Sequence, residues 1–166
     1  MEHLLITYSS DCAKNGHIDP NFTKLIYGDS KHEGNVIKNH LQPGSYVFYN
    51  TNINGSRYIT AYFYVEKILN ENDNKAEIDA LNCSANEDEV VIIGSRLFSK
   101  ILTLPLKLDK QLLVDLKSFK IDNDYFQDKA SNGYKELQAI SHKTYNNKLL
   151  SDGDKDLLLE KCKNRG

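Results

Sequence analysis

Short apolar runs alternate along this chain with polar, turn-rich gaps. His3 to Tyr8 (HLLITY) predicts a buried first strand. It empties into SSDCAKNGHIDPNF, whose Ser, Asp, Asn, Gly and Pro predict loop and turns. Tyr27-Gly28-Asp29 is an aromatic–glycine elbow ahead of Ser30-Lys31-His32-Glu33, an S-x-x-E capping box. Val36, Ile37 and Leu41 then share one face of a short helix that Pro43 stops. Gly44 turns the chain into a strand over 45–50 (SYVFYN), rich in aromatic and β-branched residues. Residues 52–56 form a hairpin loop around Asn54-Gly55. A long strand over 57–69 follows, in which Ile59, Ala61, Phe63 and Val65 alternate with Tyr58, Thr60, Tyr62, Tyr64 and Glu66. This alternation predicts a core face and a half-exposed tyrosine stripe.

The second half is less regular. Residues 70–89 are acidic and Asn-rich around a short predicted strand, 76–81, and read as a solvated connection or edge hairpin. Val90 to Ile93 predicts a buried strand closed by Gly94, and 101–106 another, where Pro105 argues for an edge position. Asp109 caps a helix carrying Leu112, Leu113 and Leu116. The pattern blurs over 120–129, and 133–145 reads as a last strand or turn. Ser151, with Asp154 three residues on, opens a terminal helix that turns Leu157, Leu158 and Cys162 inward. The predicted architecture is α+β, a single domain over 1–166 with a curled antiparallel or mixed sheet.

Charge narrows the functional classes. The 166 residues carry a net charge of −2 with a pI near 6.2, so there is no global basic field for gripping long tracts of phosphate. Any nucleic-acid role must rest on a local patch and a base pocket. Ten tyrosines and six phenylalanines, with no tryptophan, supply flat faces with polar tips. No apolar run approaches the ~20 residues needed to span a bilayer, and no signal-peptide core opens the chain. Cys12, Cys83 and Cys162 are widely spaced and read as reduced thiols. The expected location is cytoplasmic.

Motifs for chemistry are sparse. P-loop, dinucleotide-binding, zinc-protease and serine-hydrolase signatures are absent, and the five histidines lack metal spacing, His17 with Asp19 included. No metal and no cofactor is expected. Cys12 with His17 is a lone pair of the nucleophile–base type, and Glu66-Lys67 reads as strand-end charge. Ser9 and Ser10, at the end of the first strand, are placed for a pocket rim. Arg57 follows Asn54-Gly55-Ser56 and Arg96 follows Gly94-Ser95, so small neighbours let each guanidinium, and nearby Lys100, approach phosphate.

The central stretch resembles a known family. Tyr27-Gly28-Asp29, a helix, and then Leu41 to Thr51 (LQPGSYVFYNT) are similar to the aromatic–glycine elbow, "pGD" turn and "FYhS" strand of EVE domains. Residues 58–68 (YITAYFYVEKI) echo that family's next strand, 102–113 (LTLPLKLDKQLL) its "Pi.l..L" segment, and 148–162 its final helix. Here Tyr27 stands where that family has Trp, and Ser45 where it has Asp. A looser similarity, to nucleotide-modification-associated domains, rests on His17-x-Asp19-Pro20 and Gly28. EVE domains sit with ASCH, YTH and PUA domains in the PUA-like superfamily of small β-barrels. The resemblance implies a non-catalytic reader of a modified base flipped out of DNA or RNA. Tyr8, Ser9 and Ser10 would line the mouth, Tyr27, Gly28 and Asp29 the elbow, and Tyr49, Asn50 and Thr51 the strand end. A tyrosine would stack, Asn50 or Asp29 would read the base edge, and Arg57, Arg96 and Lys100 would meet phosphates. Two alternatives stand beside it. One is an ASCH-like nucleoside amidohydrolase using Lys67, Thr60 and Glu66; the other is a protein-interaction accessory of a nucleic-acid modification or defence system.

Overall fold

The strand that organises the molecule starts from a two-residue turn. Asn54 and Gly55 have φ of 49° and 81°, the paired left-handed conformation of a type I′ hairpin. The turn joins β3 (Tyr46–Ile53) to β4 (Ser56–Asn70), a strand of 15 residues. The computed structural model describes residues 1–9, 16 and 18–166, and Ser10, Cys12 and His17 lie outside them.

One edge of β4 pairs with β3. Its other edge takes β6 (Lys100–Lys107) along Tyr58–Tyr62 and β5 (Val90–Gly94) along Val65–Asn70. β2 (Ile26–Asp29) lies antiparallel on β5, β1 (His3–Thr7) parallel on β3, and β7 (Lys148–Leu150) antiparallel on β1. The order β2-β5-β4-β3-β1-β7, with β6 branching from β4, is an open mixed sheet. Among the described residues it does not close into a barrel.

Two bulges bend β4. Register slips between Ile59 and Ala61, leaving Thr60 as the extra residue, and again between Val65 and Lys67, leaving Glu66. The first slip has a packing consequence. Ala61, Phe63 and Val65 face a core with Leu4, Ile6, Tyr27, Val47, Tyr49, Val90 and Ile92. Ile59, of the same sequence parity, faces the opposite core with Leu5, Phe48 and the C-terminal helices. Simple alternation puts Ile59 on the wrong side because it counts the bulged residue as paired.

Helices cover both sheet faces. α1 (Lys31–His40) lays Ile37 on the first core. α3 (Lys110–Asp115), α4 (Asn123–Ser131), α5 (Glu136–Thr144) and α6 (Asp152–Cys162) build the second. Tyr58, Tyr62 and Tyr64 stay half-exposed, as the alternation predicts, with Tyr62 and the neighbouring Tyr46 packed on the edge of that second layer. Among the described residues no helix is long and apolar enough to cross a membrane.

Several local expectations are corrected. Residues 76–81 are not a strand: α2 (Glu71–Asp79) occupies the region, capped by the Asn70 side chain. Lys75 bridges Glu71 and Asp79 on its exposed face, and Ile78 packs under Leu69 and Val91. Residues 123–131 and 136–144 are likewise helical. Asp122 caps α4 by accepting from Tyr125 N, and Gln138 reaches back to Lys135 N at the start of α5. Ser30 is the N-cap of α1 yet makes no capping bond: its hydroxyl donates to Asp88 Oδ1 and accepts from Glu89 N, tying the helix start to β5. The Tyr27–Asp29 elbow is strand β2. Asp109 and Ser151 do cap their helices, accepting from Leu112 N and Asp154 N.

Candidate functional site

Parallel pairing sends β1 and β3 out of the sheet in the same direction, so their C-terminal ends finish side by side. A cleft of about 570 Å³ opens there. Thr7, Tyr8 and Ser9 form one wall, Thr51 and Asn52 the next, and Arg57 comes from the start of β4. Tyr27 and Asp29 of β2 and Glu33 of α1 close the far side. Tyr145, Asn146 and Asn147, between α5 and β7, form the rim.

Each wall is fixed by side-chain bonds. Thr7 Oγ1 donates to the Thr144 carbonyl at 2.6 Å, latching α5 to β1. Tyr8 shares a 2.9 Å hydrogen bond between its hydroxyl and Oγ1 of the bulged Thr60, and its ring meets Phe22 edge-on. Burial raises the Tyr8 pKa, so the phenol remains a donor across the physiological range. Tyr27 donates to Asp29 Oδ2 at 2.5 Å, and Asp29 Oδ1 accepts from Ser30 N.

Among the described residues Arg57 is the cation of the cleft. Its Nη1 donates to Asn50 Oδ1 at 3.2 Å and its Nε to Ser141 Oγ at 3.3 Å. The remaining N–H groups of the fork have no partner among the described residues. Burial lowers the Arg57 pKa, but from a value so high that the charge persists. A half-buried, braced guanidinium beside open volume is suited to a planar anionic or carbonyl-bearing ligand.

Behind the β2 wall lies a second group of acids. Asp19 accepts from Gly28 N through both oxygens, at 3.2 and 3.3 Å. Burial pushes its pKa up to about 8, the Gly28 bond pulling the other way and Asp88 and Asp29 adding to the rise. Among the described residues no group of His, Cys, Asp and Glu is arranged to hold a metal.

Of the residues singled out from sequence, Tyr8, Ser9, Tyr27, Asp29, Thr51 and Arg57 meet at this cleft. Ser10 lies outside the described residues. Tyr49 is wholly buried, packed on Phe63, Phe22 and Tyr27, and so is no stacking surface. Asn50 is also wholly buried; it donates to Ile6 O and Thr7 Oγ1 and holds Arg57, so it orients a contact residue instead of reading a base. Gly28 is set by packing, since a Cβ there would collide with the Asp88 side chain. Arg96 and Lys100 are elsewhere. They lie near Tyr64 and Tyr62 of β4, roughly 15–25 Å along the strand from Arg57, and Lys100 Nζ donates to the Lys163 carbonyl. The amidohydrolase set does not assemble. Thr60 is committed to Tyr8, whereas Lys67, some 20 Å further along β4, pairs with Glu77 and Glu66 is exposed.

Glu33, Tyr145, Asn146 and Asn147 were not legible as site residues. Glu33 reads as a capping-box acid, and the other three arrive only because α5 is a helix latched to β1. Neither a scan of protein-family models nor a search of curated proteins finds a match to this chain.

Proposed function

We propose that the chain is a non-catalytic nucleic-acid-binding module that takes one flipped, modified base of DNA or RNA into this cleft. In this reading the curled open sheet is a PUA-like scaffold of the EVE type. The supporting observation is convergence: Tyr27, Asp29, Thr51 and Arg57 from three strands, with Tyr8 just past the end of β1, line one cleft of about 570 Å³. Tyr145 stands at its rim 81% exposed, an aromatic face with no packing role. Stacking on such a face contributes ~1–3 kcal/mol per base. That offsets extrusion, which costs a few kcal/mol and least in single strands. Asp29 and Arg57 offer an acceptor and a donor fork to the base edge or its phosphate. With a net charge of −2, specificity then comes from the pocket and not from a run of phosphate contacts.

The test is fluorescence-anisotropy binding to single-stranded DNA and RNA oligonucleotides, unmodified and carrying methylated bases. A modified strand should bind tightest, and Tyr145→Ala should weaken it about tenfold or more. Equal, weak binding of every oligonucleotide, unaltered by Tyr145→Ala and Arg57→Ala, would refute the reading.

A further inference from the structure

Two polar atoms belonging to the walls of the cleft are unsatisfied. Glu33 Oε2 and Asn147 Nδ2 are both withdrawn from solvent, and neither has a hydrogen-bond partner among the described residues. Both residues line the cleft, Glu33 from the first turn of α1 and Asn147 from the link between α5 and β7. The neighbouring polar groups are already engaged: Asp29 by Tyr27 and Ser30, Thr7 by Thr144 and Asn50, and Arg57 in part by Asn50 and Ser141. A buried acceptor and a buried donor left open at one cleft are costly without a ligand. The terminal torsions of Glu and Asn are broad and roughly two-fold, so a turn of the carboxylate or amide presents either atom to an occupant.

We infer that Glu33 and Asn147 are the specificity-determining pair, and that the base they select carries a guanine-type edge. The inference rests on the base-binding reading above. A carboxylate is acceptor-only and is best met by paired donors, which guanine supplies as its ring N–H and adjacent exocyclic amine. The carbonyl beside them accepts from the Asn147 amide. Adenine and cytosine offer the amine without the ring N–H, and uracil the ring N–H without the amine, so each leaves part of the pair unmet.

Isothermal titration of the whole chain with GMP, IMP, AMP, CMP and UMP tests this, with the unmodified and methylated single-stranded oligonucleotides in parallel. GMP should bind tightest, and IMP, which lacks only the amine, about tenfold more weakly. Glu33→Gln should remove most of the difference between GMP and IMP. Asn147→Asp should weaken GMP and improve AMP, whose amine replaces the carbonyl. Binding that ignores base identity, or a GMP preference untouched by both variants, would overturn the inference while leaving the base-binding reading intact. No binding of any nucleotide or oligonucleotide would bring down that reading, and the inference with it.

Discussion

Arg57 reaches across the β3–β4 hairpin to Asn50, its Nη1 donating to Oδ1 at 3.2 Å, and Asn50 is itself fully buried and tied to the Ile6 carbonyl. The arginine is therefore aimed from within the sheet and not draped over its surface. Arg57→Lys keeps the charge but cannot span Asn50 and Ser141 together. Oligonucleotide affinity should fall about tenfold with little change in melting temperature, because Asn50 keeps the bonds from its Nδ2 to Ile6 O and Thr7 Oγ1. If Arg57 makes the one phosphate contact, a log–log salt titration with single strands should have a slope of about −0.7, kept by Arg57→Lys and brought near zero by Arg57→Ala.

The partnerless Glu33 Oε2 carries a folding cost that an apolar side chain would not. Glu33→Met should stabilise the ligand-free protein by about 1 kcal/mol, seen as a rise of roughly 2–4 °C in melting temperature, while abolishing nucleotide binding. A loss of stability would mean that Glu33 is an ordinary structural acid.

Asp19 gives stability a definite pH dependence. Its folded pKa, near 8, is above the 3.8 of the unfolded chain, so between these values the folded state holds a proton that the unfolded state has released. Its contribution to stability therefore declines as pH rises from about 4 to about 8, then levels off. His3, whose pKa is lowered chiefly by burial, works in the opposite sense below its usual value. The clean measurement is the difference between wild type and Asp19→Asn in urea unfolding across that range. Asn can still accept from Gly28, and the difference should move in favour of the variant as pH rises.

Gly28 has no room for a methyl group, because a Cβ would collide with the Asp88 carboxylate and its Cβ. Gly28→Ala should cost ~1–3 kcal/mol of stability, read as a lower urea midpoint at unchanged slope. Any effect on binding should follow from displacement of β2 and not from a lost contact.

The legible part of the fold was whatever local chemistry determines. Asn54-Gly55, Pro43-Gly44 and the caps at Asp109 and Ser151 act within a few residues, and each appears where sequence puts it. What escaped depends on partners distant in sequence. α5 is helical with only Ala139, Ile140 and Thr144 buried, a short stripe indistinguishable from a strand or turn until α4 and β1 pack on it. The bulge at Thr60 is silent in the alternating pattern, yet it decides which core Ile59 joins. The cleft divides in the same way. Most residues on strand ends are legible, Thr7 and Asn52 excepted, and those delivered by α1 and the α5–β7 link are not. Arg96 and Lys100 drew notice for the company they keep in sequence, which says nothing about the end of β4 they sit beside.

The edges of the sheet bear on how the molecule behaves in a crowded solution. β7 has three residues and β2 four, too short to template a strand from a neighbour. β6 is longer, with eight residues, but Pro105 withholds a donor, and Arg165 seals the edge: its carbonyl accepts from Leu104 N and Thr103 Oγ1, and its Nη1 donates to Pro105 O. A sheet with a cleft at one end thus has its β6 edge covered against pairing with a second copy. Removing residues 163–166 should bare β6 and raise aggregation through that strand above that of the full chain, a change visible by light scattering.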